Sequence, residues 1–170
     1  MYLFKKSNSF ILLVITPLLL LLNNCSDSSE YGTQSDYIKL GADDTTAPTV
    51  SAVSPTDNST SVAVNSTVAL TFSEKISTST ISTNTSDTSC SGSFQLSSDN
   101  FTSCVKMSAA PTASNDNQTF TATPADNLST STSYKLQATT TVKDPAGNAL
   151  AAAYTTNGFT TASTSSSSSS

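Results

Sequence analysis

Three cysteines carry the most distinctive chemistry in this chain: Cys25, Cys90 and Cys104. An odd count leaves one thiol without an intramolecular partner. Cys25 stands alone, directly after an apolar run, whereas Cys90 and Cys104 lie close in sequence. Joining those two would close a loop of about 15 residues, worth roughly 3 kcal/mol through the unfolded chain. Two reduced, buried thiols are the alternative, because spacing does not fix geometry. Acidic side chains form the second set. Asp43, Asp44, Asp57, Asp126 and Asp144 carry the hard oxygen donors that Ca²⁺ takes. No D-x-[DN]-x-[DN]-G loop is present, however. Each Asp also sits in turn-forming sequence where its carboxylate can bond its own backbone. Structural turn roles are therefore expected of them, with no metal and no cofactor.

Composition excludes whole classes of chemistry. There is no His and no Arg among the 170 residues. That removes the commonest general base and the commonest transition-metal ligand. Copper sites need His and Met, and the only Met beyond the N-terminal segment is Met107, on the apolar side of its run. Serines are abundant, but no G-x-S-x-G or S-x-x-K phrase pairs one with Lys75, Lys106, Lys135 or Lys143. The chain reads as non-enzymatic. The net charge of −5 and the scattered lysines also leave no basic patch to neutralise phosphates, so nucleic acid is not an expected partner.

The first cysteine is positioned by an address segment. Residues 1–25 read MYLFKKSNSFILLVITPLLLLLNNC. Lys5 and Lys6 form a basic start, and Phe10 to Leu22 is an apolar run of about a dozen residues, the length of a signal-peptide core. A spanning helix needs about 20, and Pro17 interrupts this run; an uncleaved anchor is the alternative reading. Leu22-Asn23-Asn24-Cys25 resembles the lipobox of bacterial lipoproteins, in the relaxed form seen in spirochaetes, with Asn where Ala, Ser or Gly is usual. The resemblance implies cleavage before Cys25, and diacylglycerol and a further acyl chain of the palmitate type on that residue. Ser26 rather than Asp comes next, which in that family points to the outer membrane or the cell surface. With Cys25 lipidated, Cys90 and Cys104 remain as a pair in an oxidising compartment, where a disulfide is expected.

The other candidates depend on the chain beyond Cys25. Residues 26–46 are polar and Ser/Asp-rich, and 25–46 is predicted as a flexible tether. From Ala47 short alternating runs begin, separated by turn clusters. Val68, Leu70 and Phe72 fall on one face, as do Tyr134, Leu136 and Ala138, and so do Phe120 and Ala122. Val50 with Val53, Phe94 with Leu96, Val105 with Met107, and the stretch Gly158 to Ala162 add further strands. A single helical turn fits Ser77 to Ser82. About seven or eight short strands with turns between them predict an all-β antiparallel sandwich over 47–162. Residues 163–170 are Ser-rich and predicted to be a disordered tail.

Two long phrases carry a second resemblance. Asp44 to Ile81 (DTTAPTVSAVSPTDNSTSVAVNSTVALTFSEKISTSTI) and Thr119 to Thr161 (TFTATPADNLSTSTSYKLQATTTVKDPAGNALAAAYTTNGFTT) resemble the bacterial Ig-like domain of SbsA-type S-layer proteins. The shared features are a Ser-Pro-x-Asp turn, a strand ending Thr-Phe-Ser-Glu, an Asp-x-Ala-Gly-Asn turn and a closing Phe-Thr-Thr. The resemblance implies an Ig-like sandwich with no catalytic residue. A Tyr at the position of Tyr134 would return its hydroxyl to nearby backbone as a tyrosine corner. The expected function is a lipid-anchored envelope protein carrying a spacer or display module. An adhesin or ligand-binding module is the alternative, engaging an envelope or host macromolecule through the loops of Thr83 to Asn117. That region matches the family poorly and holds the cysteine pair, but its only aromatics are Phe94 and Phe101 and it has no Trp or Arg, so a tight protein interface is not expected there.

Overall fold

The computed structural model describes residues 44–164. The segments predicted as signal and tether up to residue 43, Cys25 and Asp43 included, and most of the predicted tail lie outside the described residues. Eight strands form two antiparallel sheets, with almost no helix. The all-β sandwich expected from the alternating runs is what the chain builds.

The first sheet has the order β1 (Val50–Ser54), β2 (Val68–Phe72), β5 (Thr119–Ala122), β4 (Thr112–Ser114). The second places β6 (Ser133–Ala138) between β3 (Phe94–Ser97) and β7 (Tyr154–Thr155), and β8 (Phe159–Thr160) also pairs with β6. Period-2 alternation explains the central strands. In β2, Val68, Leu70 and Phe72 are buried and the residues between them are half-buried. In β6, Tyr134, Leu136 and Ala138 are buried in the same way. Phe120 and Ala122 are the buried side chains of β5. The predicted helical turn is a short 3₁₀ segment, Thr78–Thr80.

Irregularities set what alternation does not. Val50 and Val53 are three apart and would face opposite sides of a regular strand. The register of β1 on β2 shifts between Val50 and Ala52, and both valines pack on the core. A bulge of this kind adds one residue and restores the inward direction. Strand β3 is buried on both faces, its polar residues included. Gln95 donates from Nε2 to the carbonyls of Cys90 (3.0 Å) and Gly92 (2.7 Å), so the loop before β3 covers its outer side. Phe72 and Phe120 meet edge-to-face with centroids 6.1 Å apart, and Tyr134 stacks on Phe159 at 5.9 Å. The Tyr134 hydroxyl accepts the Ser129 N–H at 3.0 Å, the tyrosine corner that the resemblance implied.

Candidate functional site

The structure joins Cys90 to Cys104, with Cα atoms 5.1 Å apart. Two reduced thiols are therefore not what the fold contains. The bond closes residues 90–104, which include the buried strand β3, and the segment just before Cys90 is held by polar contacts. Cys104 donates its N–H to Thr88 O at 2.8 Å, and Asp87 accepts the N–H and hydroxyl of Ser89. After β3 a second tight loop runs to Cys104. Asp99 organises it: Oδ1 accepts Ser97 Oγ (2.8 Å) and Ser103 N–H (2.9 Å), and Oδ2 accepts Ser103 Oγ (2.6 Å). The Ser103 hydroxyl and amide, with Ser97, hold the Asp99 carboxyl down at about 2, from an ordinary 3.8. Asn100 and Phe101 take positive φ of 57° and 64° within this loop.

The aspartates divide among several places. Asp126 is exposed. The two side-chain oxygens of Asp57 bond a segment far along the chain, Oδ1 accepting Gly158 N–H (2.7 Å) and Oδ2 accepting Asn157 N–H (3.1 Å) and Nδ2 (2.9 Å). Desolvation pushes the Asp57 carboxyl up, but these donors outweigh it and hold the group below its usual range. Asp144 does serve its own turn. It is 2% exposed, and Oδ1 accepts Gly147 and Asn148 N–H (2.6 and 2.8 Å) while Oδ2 accepts Asn148 Nδ2 (2.7 Å). Gly147 takes φ of 99°, the left-handed conformation this turn needs.

Asn148 Nδ2 also donates to Asp44 O at 2.8 Å, tying the entry of the domain to this turn. That tie gathers a group the sequence did not announce. Oxygens of Asp44, Glu74 and Asp144 all lie within 4.8 Å of one another. Asp44 and Glu74 border a depression that Lys75, Pro145 and Ala146 complete. The Lys75 ammonium pairs with Asp116 at 2.9 Å. Glu74 lies two residues past β2, and nothing in its spacing links it to positions 44 and 144. Desolvation first, then the charges of Asp44 and Asp144, raise the Glu74 carboxyl above its ordinary value. Asp144 already accepts three donors, so its lone pairs are largely committed to the turn.

This corner has a measurable consequence. A raised folded-state pKa means the folded chain binds the Glu74 proton more tightly than the unfolded chain does. Glu74 therefore costs stability above its folded pKa, and the cost disappears once pH falls below the unfolded value, about 4.3. Glu74→Gln is expected to stabilise the domain at pH 7 by a few tenths of a kcal/mol to about 1. The gain should shrink to nothing near pH 4. Asp57, Asp99 and Asp144 work in the opposite sense. Their lowered values stabilise above the unfolded pKa, and that contribution is lost as pH falls through the folded values, down to about 2 for Asp99. Urea midpoints of wild type and Glu74→Gln across pH 3 to 8 check both signs; a gap independent of pH would remove the repulsion argument.

Residues 44–161 match the family described as "Bacterial Ig-like domain". The chain belongs to the bacterial Ig-like domain family. Among solved structures, S-layer proteins are similar to this Ig-like chain. One is the crystal structure of the S-layer protein rSbsC(31-844), at 19% identity and a TM-score of 0.48, covering 69% of this chain and 14% of that one. The N-terminal part of SbsC is similar at 17% identity and a TM-score of 0.48, covering 69% of this chain and 24% of that one. This chain thus spans a small fraction of those proteins' length. No curated protein matches it.

Within the Ig-like domain, the stretch from Thr83 to Asn117 holds the strand expected at Phe94 and Leu96. It contributes β3 and β4 to the two sheets. Phe94, Leu96 and Met107 are each 0% exposed, so Phe94 is core and unable to anchor a partner. Phe101 is half-buried on the Asp99 loop.

Proposed function

We propose that this chain is a lipid-anchored cell-envelope protein whose Ig-like sandwich acts as a non-catalytic spacer or display module. The observation that carries this reading is the Cys90–Cys104 bond. It accounts for two of the three cysteines and leaves Cys25 as the thiol available for acylation. Disulfides persist mainly in exported proteins, which agrees with a signal segment ahead of Cys25. Acyl chains add about 0.8 kcal/mol of membrane affinity per buried CH₂, and more than one chain gives stable anchoring. The carboxylates with the strongest hydrogen bonding, Asp57, Asp99 and Asp144, hold turns and loops together, which suits a rigid module.

Cys25→Ser is expected to abolish incorporation of labelled palmitate and to move the protein from the membrane fraction to the soluble fraction. Mass spectrometry of the mature wild type should find an acylated Cys25 at its N-terminus. An unmodified Cys25 in the mature protein, or a Cys25→Ser variant that still partitions with membranes, would overturn the reading.

A further inference from the structure

We propose that Asn157–Gly158 is a latent deamidation site that the Asp57 carboxylate holds closed. It is the only Asn–Gly pair in the sequence. The fold itself imposes the glycine. Gly158 has φ of 110°, and a Cβ there would sit 2.5 Å from Tyr134 O. An unsubstituted Cα next to the amide is also what makes the Gly158 nitrogen the least hindered nucleophile towards the preceding carboxamide. The liability therefore comes with the backbone, and the structure supplies its restraint.

In the reaction the Gly158 nitrogen loses its proton and attacks Asn157 Cγ. A new N–Cγ bond forms, the Cγ–Nδ2 bond breaks, and ammonia leaves with the proton. Water then opens the five-membered imide at either carbonyl, leaving aspartate or isoaspartate at position 157. Nothing else is consumed. In the folded chain the two reacting groups are bound to different oxygens of one carboxylate: Gly158 N–H to Oδ1 at 2.7 Å, and Asn157 Nδ2 to Oδ2 at 2.9 Å. Ring closure needs both released, because the nitrogen must turn its proton away from Oδ1 and the carboxamide must swing over it. The residues that follow are held as well. Gly158 O accepts Asn58 N–H at 2.6 Å, and Thr160 N–H donates to Ser59 O at 2.8 Å. Once converted, the new carboxylate faces Asp57 with like charge, so an opening that reacts cannot reclose on the same contacts. The corner becomes a one-way record of local unfolding.

The test tracks the mass change from carboxamide to carboxyl in the peptide containing Asn157. The full chain is incubated at mildly alkaline pH, folded and in concentrated urea. Conversion in the folded chain should be roughly tenfold or more slower, as expected when reaction requires local opening. Asp57→Ala, checked for fold by circular dichroism, should convert at nearly the urea rate. If that variant does not fold, Asp57→Asn keeps one acceptor for Gly158, loses both bonds from Asn157, and should convert at an intermediate rate. The wild type also decides alone: below the unfolding transition, Asn157 conversion and Gly158 amide exchange should rise together with urea. Equal conversion in folded and unfolded wild type, folded Asp57 variants as slow as wild type, or conversion independent of Gly158 exchange would each overturn the proposal.

Discussion

Replacing Cys90 and Cys104 together with serine is expected to lower stability by about 3 kcal/mol. Most of that comes from freeing the unfolded chain, since the bond spans a sequence separation of 14. A second contribution is local. The loop that the bond closes supplies the carbonyls of Cys90 and Gly92 to Gln95, which lies in a strand buried on both faces. Loosening the loop lets water reach that outer face. The thermal midpoint should fall by on the order of 10 °C for a domain of this size. Amide exchange should rise first around β3, while β2 and β5 keep their protection. Reduction of the wild type should reproduce the loss. A midpoint indifferent to reductant would show that the bond holds nothing the ladder does not already hold.

Phe120→Ala is expected to cost more, about 3 to 5 kcal/mol. Phe120 is 2% exposed and sits in β5, between β2 and β4. It lies opposite Leu70 on one side and Ala113 on the other. Its ring also meets that of Phe72 edge-to-face. Truncation opens a cavity at the centre of the first sheet, and neighbours fixed by two ladders cannot collapse into it. Domains of this kind have only about 5 to 15 kcal/mol in total, so a large share of the folded population is lost on warming. Urea unfolding of the two single variants and of Phe72→Ala/Phe120→Ala isolates the pair, whose coupling should be about 0.5 to 1.5 kcal/mol. A Phe120→Ala cost below about 1 kcal/mol would mean the sheet repacks and is not held as described.

The central strands were legible because their signal is local. Val68, Leu70 and Phe72, or Tyr134, Leu136 and Ala138, alternate along the chain itself, and a period of two leaves one way to bury them. The tyrosine corner was legible for the same reason, since Tyr134 and Ser129 are five residues apart. The bulge in β1 was not, because it shows only against the register of β2. Strands β4 and β7, three and two residues long, carry no alternation; they are strands because β5 and β6 offer unpaired edges beside them. Phe94 illustrates the limit on function. Its alternation with Leu96 marked a strand, and the poor match to the family marked a binding loop, but burial made it core.

The sequence alone determined the class of this domain: short alternating runs that build a β-sandwich, and a composition without His or Arg. Those properties come from composition, run length and period, which exist before folding. Tertiary structure alone decided which polar groups work together. Asp57 meets Asn157 and Gly158 from 100 and 101 residues away. Asp44, Glu74 and Asp144 converge from three separate segments. Such contacts depend on how two sheets close over a shared core, and a carboxylate carries no mark in sequence of the distant amide it will accept.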